Sequence, residues 1–415
     1  MLKNFDEEAL NEKIQQQAAE KFSHHEKISL HNTKKVLNAF RENMVSDYYF
    51  RPASGYGYSD TGRDTLDKIY ANVFQTDSAL VRSQFVSGTH ALSTALFGIL
   101  RSGDEMLAVT GAPYDTLQTV IGAKVKQKGS LCEHGISYRE LPLQKGQKID
   151  LQQIKREISP KTKLVHIQRS RGYSDRDTLS VEQIGEICQS VKSVKKDCIC
   201  FVDNCYGEFV EKTEPTEVGA DIIAGSLIKN PGGGLAPSGG YIAGRQDLLQ
   251  MASYQFTAPG LGSEMGSVSG DTQRLMYQGF FFAPHITLQA LKTAIYAATL
   301  FFELGYEVSP LPDAFRSDII QSISLERAEA LIAFCQAIQS NSPVDSHVLP
   351  LPGKMPGYQD DVIMAAGTFI QGASIELSAD GPMRSPYTVY LQGGLVFEHS
   401  VLALLESAKN IFRQS

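Results

Sequence analysis

No stretch of the 415-residue chain stays apolar over the roughly 20 residues that a bilayer-crossing helix needs, so no membrane span is expected. The segment from Met1 to Glu20 is studded with Glu, Lys and Gln and lacks the apolar centre of a secretory signal, which predicts a cytoplasmic protein. Cysteine is scarce. The six present form no Cys-x-x-Cys pair, and Cys188, Cys198, Cys200 and Cys205 fall in helix-like or strand-like runs, as buried reduced thiols do. There is no basic excess either: the net charge of -7 argues against a nucleic-acid surface. Repeats and low-complexity tracts are missing. No carboxylate or histidine cluster has ligand spacing, so no metal is expected, and His24 and His25, on a polar helix, are expected to face solvent.

What is present is an ordinary globular composition, 42% hydrophobic and 20% charged, in a chain too long for one core. The first fifty residues read as helix: Leu10, Ile14 and Ala18 recur every four residues, and Asn32 is placed to cap a second run through Val36, Leu37 and Phe40. The thin apolar stripe predicts that these helices lie on a larger body or on a second subunit. From about Arg51, short apolar runs alternate with amphipathic stretches. Candidate strands are Phe85–Ser87, Met106–Val109, Leu164–Ile167, Ile199–Val202, Ile222–Ala224 and Gly240–Ala243. Strands apolar throughout and separated by helices predict an α/β fold, a mainly parallel sheet covered by helices on both faces. A capping box at Ser180 and Gln183 opens one of those helices.

A long apolar helix from Leu288 to Leu304 follows Pro284. Beyond it come a helix at Leu325–Ile338, strand-like runs near Val362–Ala366, Ala373–Leu377 and Thr388–Leu391, and a last helix from Glu398. The expected organisation is an N-terminal helical segment over 1–52, a large domain over 53–284 and a smaller α+β domain over 285–415.

Ligands of open α/β sheets bind at the carboxyl ends of the strands, and four segments there carry chemistry. Ser87-Gly88-Thr89 opens a helix, where free backbone N–H groups suit a phosphate, although a plain N-capped turn has the same composition. Tyr114, also between strand and helix, can stack on a flat ligand or simply pack. Asp203 ends an apolar strand, where burial demands a partner such as a protonated ring nitrogen; a helix cap, a metal ligand and a surface turn remain alternatives. Lys229 leaves another buried strand, after Ser226, into a run of glycines, and burial there is expected to lower its pKa and make it a nucleophile towards an aldehyde. Neither a Gly-Lys-Ser/Thr loop nor a Gly-x-Gly-x-x-Gly turn stands where a nucleotide site requires it.

A phosphate turn, an aromatic, a carboxylate and a lysine 26 residues later, in that order, resemble fold-type I pyridoxal 5'-phosphate (PLP) enzymes. Val202-Asp203-Asn204-Cys205-Tyr206 and Tyr58-Ser59 are similar to segments of the cystathionine and methionine lyases. Gly57–Tyr70, Ser87–Ala95, Val202–Phe209, Ser226–Gly240 and Tyr387–Glu398 resemble the bacterial aluminium-resistance family, described as cystathionine β-lyase-like or methionine γ-lyase-like. The resemblance covers the chain from about residue 30 to its end. It departs at three places: Ile228 stands where the group has a phosphate-binding Thr, Asp60 where it has an Arg, and Asn230-Pro231-Gly232 where it has an aromatic.

The resemblance implies PLP held as a Schiff base on Lys229, a ring nitrogen kept protonated by Asp203, and Tyr114 on the ring. Ser87, Gly88, Thr89 and Ser226 would hold the phosphate. Tyr58 from a neighbouring subunit, with Arg63 supplying the charge lost at Asp60, would complete that site in a homodimer or homotetramer. Arg384 and Arg171 are the candidates for the carboxylate of an amino-acid substrate, since a guanidinium matches it bidentately. The activity implied is carbon–sulfur β- or γ-elimination. An aminotransferase, a γ-replacement synthase or a PLP-binding protein with little turnover would use the same cofactor residues.

Overall fold

A computed structural model describes residues 6–124, 127–143, 149–172, 176–355 and 360–413 of the protein. Residues 1–5 of the stretch examined for a secretory signal lie outside that range. The chain opens with one long helix, α1 (Glu7–Glu42), capped by the Asp6 carboxylate, and continues through α2 (Thr61–Val73) into the first strand, β1 (Ser78–Arg82). Next come α3 (Gly88–Ile99), β2 (Glu105–Ala108), α4 (Asp115–Ile121), β3 (Ser137–Glu140), α5 (Leu151–Glu157), β4 (Thr162–Gln168), α6 (Val181–Val194), β5 (Ile199–Asp203), β6 (Ile222–Ser226), β7 (Gly240–Gly244) and α7 (Gln246–Phe256). After α8 (Thr272–Glu303) follow β8 (Glu307–Ser309), β9 (Gln321–Ser324), α9 (Ala328–Ser340), β10 (Val362–Ala365), β11 (Ser378–Pro382), β12 (Thr388–Gln392) and α10 (Phe397–Arg413).

The first seven strands form one sheet in the order β1-β7-β6-β5-β4-β2-β3, and every neighbouring pair from β6 to β3 is parallel. Only β7 runs against its neighbours, β6 and β1. Apolar residues of α2, α6 and α8 cover one face, and those of α3, α4 and α7 the other. That is the expected α/β sandwich of layers, and the fully buried central strands explain why their sequences do not alternate. The Ser180–Gln183 capping box forms as expected at the start of α6. The other five strands make an antiparallel sheet, β10-β11-β12-β9-β8, backed by α9 and α10.

Several elements differ from expectation. Phe85–Ser87 is a turn, and the strand lies earlier, at Ser78–Arg82. Its terminal arginine hid it, yet Arg82 is buried because Asp67 pairs with it at 2.8 Å. Ala373–Leu377 forms turns, while Ser-Ala-Asp-Gly-Pro, a turn-like composition, is the buried strand β11. Asn32 caps nothing: it sits inside α1, where its amide donates to the Phe209 and Glu211 carbonyls at 3.1 and 2.9 Å. His24 is exposed as expected, but His25 is buried, and burial drops its pKa to about 3.

Pro284 does not precede a helix but lies within α8. The helix runs on past it, and the Pro284 carbonyl accepts the Ser29 hydroxyl of α1 at 3.1 Å. The boundary expected near residue 285 therefore falls inside one continuous helix. Met276–Ala283 belongs to the core of the large sheet and Tyr296–Phe301 to the core of the small one. α1 lies along the same helix and reaches both cores, through Val36 and Ala39 at one end and Ile14 at the other. Where α8 crosses the glycine-rich loop after Lys229, backbone meets backbone. A Cβ on Gly279 would collide with the Gly232 carbonyl oxygen, and one on Gly233 with that of Gly279.

Candidate active site

Three adjacent parallel strands end together at Gln168, Asp203 and, two residues beyond the last paired position, Ser226. Their carboxyl ends open into a cleft of about 970 Å³ whose opposite wall is built by the small sheet. Ser87, Gly88, Thr89, Tyr114, Asp203, Ser226 and Lys229 all line it.

At the closed end, Ser87 Oγ accepts the His90 amide at 3.1 Å and so caps α3. The first helical bond runs from the Ala91 amide to the Ser87 carbonyl at 3.3 Å. The Gly88 and Thr89 amides precede it and have no place in the helical ladder, which leaves them for a ligand, with the helix dipole behind them. The turn is packed tightly against the other strand ends. A Cβ on Gly88 would lie 3.1 Å from Ser226 Cβ and 3.6 Å from Cys205 Sγ. Thr89 Oγ1 is 2.9 Å from Tyr114 Oη, which ties the turn to the ring expected to stack. Gln168 Oε1 fixes the backbone of that tyrosine by accepting its amide at 2.9 Å.

Asp203 is buried, and one of its oxygens accepts the Cys205 amide at 3.2 Å. Burial raises its pKa, while Lys229, the Cys205 amide and Arg176 oppose the rise. Burial also raises the Tyr114 phenol, with help from Asp203, so this hydroxyl stays protonated. For Lys229 the outcome reverses the expectation from sequence. Burial does work to lower it, but Cys205, Tyr206, Asp203 and Tyr114 outweigh burial and leave it above an ordinary lysine. Cys205 is itself pushed upward by burial, so Asp203 is the neighbour able to bear the compensating charge at neutral pH. The lysine Nζ also stands 3.9 Å from the centroid of the Tyr206 ring.

Tyr206 was not among the residues expected at the site. It adopts a left-handed backbone, φ 70°, and its hydroxyl donates to Ser374 Oγ of the opposite wall at 3.1 Å. Gln168 was missed too, although it ends β4 exactly as far along as Asp203 ends β5.

Arg171 and Arg384 both reach the cleft. Arg171 is buried, with Nη1 donating to the Ser309 carbonyl and hydroxyl at 3.1 and 2.8 Å. Arg384 stands at the mouth, paired with Asp360 at 3.2 Å. Tyr58 and Arg63 lie elsewhere. Tyr58 is exposed, its ring 5.5 Å from that of Tyr56. Arg63 is buried and engaged by Asp64 at 2.9 Å and the Gly57 carbonyl at 2.8 Å. Among the described residues, no group of three or more His, Cys, Asp and Glu is arranged to hold a metal ion, and no helix is long and apolar enough to cross a membrane.

The donor set fits PLP. Free amides and hydroxyls gather at the closed end for a phosphate, a buried carboxylate stands ready for a protonated ring nitrogen, and an amine and two tyrosines lie around the space between. The comparisons agree. The uncharacterized protein YnbB of Bacillus subtilis is 52% identical over 390 residues, 94% of this chain and 92% of that protein. A Listeria monocytogenes structure, described as a candidate cystathionine beta-lyase involved in aluminum resistance, superposes with a TM-score of 0.96 at 53% identity, over 97% of this chain and all of the other. The fold alone is shared with the PLP-dependent protein YhfS of Escherichia coli, at a TM-score of 0.62 and 14% identity over 92% of this chain and 96% of that one. With the site assembled in the order its sequence announced, and with residues 7–412 matching the family's profile, the chain belongs to the methionine gamma-lyase family.

Proposed function

We propose that the protein is a PLP-dependent carbon–sulfur lyase that removes the β- or γ-substituent of a sulfur-containing amino acid. The observation carrying this reading is the Lys229 amine, held over the Tyr206 ring at 3.9 Å in the cleft that Asp203 and Tyr114 also line. The names borne by the family and by the Listeria relative support the reaction class.

Bound PLP supplies an electron sink conjugated to the substrate's Cα. The chain's own residues do the rest. Gly88 and Thr89 amides, with the Ser87 and Ser226 hydroxyls, would hold the phosphate, and Asp203 would keep the proton on the ring nitrogen. Lys229 would be the residue that holds the cofactor, and its amine, when free, would accept the substrate's Cα proton. Tyr114, a protonated phenol beside Thr89, is placed to donate a proton as the C–S bond breaks and sulfur leaves as a thiol. Water then releases the 2-oxo acid and ammonia. Arg171 or Arg384 binds the substrate carboxylate. Tyr58, exposed and outside this chain's own cleft, acts in a second copy, which makes the working unit a homodimer or homotetramer in the cytoplasm. Arg63, buried and held by Asp64 and the Gly57 carbonyl, does not take the phosphate-binding part expected of it.

Purified protein incubated with sulfur amino acids is expected to yield pyruvate or 2-oxobutyrate together with ammonia. Transfer of the amino group to a keto acid without ammonia would overturn the lyase reading. Lys229→Ala is expected to lose the visible absorption of covalently held PLP and about 1,000-fold or more in turnover.

A further inference from the structure

The side chain of Gln168, at the last position of β4, joins two parts of the cleft wall. Its Oε1 accepts the Tyr114 amide at 2.9 Å, and its Nε2 donates to the Ser170 carbonyl at 3.0 Å. A backbone N–H only donates and a carbonyl only accepts, so the two bonds fix the orientation of this amide independently and agree. Gln168 is 7% exposed. Its own carbonyl and that of Ser170 both accept the buried Arg176 guanidinium, the first at 2.8 Å. The phenol end of Tyr114 is tied separately, to Thr89 Oγ1.

The run of bonds continues beyond the large sheet. Ser170 Oγ donates to Asp318 Oδ2 at 2.8 Å, and the Arg171 amide approaches the same oxygen at 3.4 Å. Asp318 lies in the loop between β8 and β9. Its other oxygen accepts the Ile320 amide at 3.1 Å, one residue before β9 begins. Asp318 is 1% exposed and is not among the described residues that line the cleft, whereas Gln168, Ser170 and Tyr114 are. A buried donor or acceptor that loses its partner is costly, so neighbouring links in such a run hold or yield together. A glutamine that served only to finish a strand would need one partner wall; this one grips Tyr114 on one side and the segment anchored to the small sheet on the other.

We infer that Gln168 is a positioning residue that carries the seating of the small sheet, through Asp318 and Ser170, to Tyr114. The inference rests on the proposed role of Tyr114 for its effect on rate, but not for what holds that residue in place.

Holoenzyme variants test it by two readouts. One is the visible circular dichroism of bound PLP, which reports the surroundings of its ring without turnover; the other is kcat on the best thioether substrate. Gln168→Leu removes the centre of the run, Asp318→Ala its far anchor, and Ser170→Ala only the hydroxyl between them. In all three the dichroism per bound PLP is expected to shift towards that of Tyr114→Leu, and kcat to fall about tenfold. In a Tyr114→Phe background, which has already lost the phenol, the further loss in kcat should shrink to less than about twofold. Urea unfolding confirms that each variant is folded, and if Asp318→Ala is not, Ser170→Ala decides. Dichroism unchanged from wild type in Ser170→Ala and Asp318→Ala, or losses in kcat that multiply in full in the Tyr114→Phe background, overturns the inference. If the dichroism shifts as expected but no thioether is cleaved, the lyase reading fails and the positioning role stands. If thioethers are cleaved and none of the three variants alters the dichroism, the positioning role fails and the lyase stands.

Discussion

Lys229 Nζ lies 3.9 Å from the centroid of the Tyr206 ring, so an aromatic face rather than a hydrogen-bond acceptor aims the amine. Tyr206 can present that face because its own backbone is left-handed and its hydroxyl is tethered to Ser374. A cation over a partly desolvated ring gains about 1 kcal/mol or more.

Removing the face should therefore hurt more than removing the hydroxyl. Tyr206→Leu is expected to lower kcat/KM about tenfold, while Tyr206→Phe stays within about threefold of wild type. Steady-state kinetics on the best thioether substrate decide it. Equal losses in both variants would mean that the Ser374 tether, and not the ring, sets the amine.

Asp203 is buried beside a cation it helps to stabilise, and its replacement by a neutral isostere separates binding from chemistry. Asp203→Asn is expected to retain PLP, seen in its visible absorption, yet to lose about 100-fold or more in kcat. Loss of the cofactor itself would assign Asp203 to retention and not to the electron sink.

Behind the Tyr206 turn, Glu208 is fully buried and accepts the Tyr241 hydroxyl at 2.8 Å; burial pushes its pKa up to about 8. The unfolded chain releases that proton near 4.5, so between about 4.5 and 8 the folded state binds one proton more than the unfolded state. Stability from this group is whole below the lower value and is lost as pH rises, by at most about 1.4 kcal/mol per pH unit. Glu208→Gln removes the titration. Urea unfolding of both proteins at intervals from pH 5 to 9 should show the variant gaining on wild type as pH rises, whereas a constant difference would contradict the assignment.

Gly279 has no room for a side chain, because a Cβ would meet the Gly232 carbonyl. Gly279→Ala is expected to destabilise the protein by about 1–3 kcal/mol, measured by urea unfolding, and to weaken PLP retention because the displaced loop carries Lys229. A stable variant that binds PLP normally would show that α8 can yield at this crossing.

The parts of this molecule that the sequence disclosed are those where one residue type serves one physical purpose. Ile199–Asp203 and Ile222–Ser226 read as buried strands because every residue before their ends is apolar or small, and an acid and a lysine at such ends could only be costly or useful. β1 and β11 were concealed because their polar residues find partners far along the chain: Arg82 pairs with Asp67 of α2, and Asp380 accepts the Gln392 amide of β12. His25 was misjudged for a related reason, since its burial depends on what packs over α1. Tyr206 and Gln168 belong to the site through the orientation of a turn and a strand register, neither of which leaves a compositional trace. Of the small-sheet side of the cleft only Arg384 was expected; Ser374, Asp380 and Gln392 were beyond reach because they face the cleft only once two sheets are assembled.

The touch between Gly279 and the loop at Gly232 and Gly233 leaves no side chain as a cushion. The far end of α8 carries the small sheet, and the near end leans on the loop that begins at Lys229. A tilt of that helix would therefore press backbone against backbone on the loop that carries the amine. The small sheet and the lysine loop thus share one stiff support, with no flexible side chain between them at this crossing.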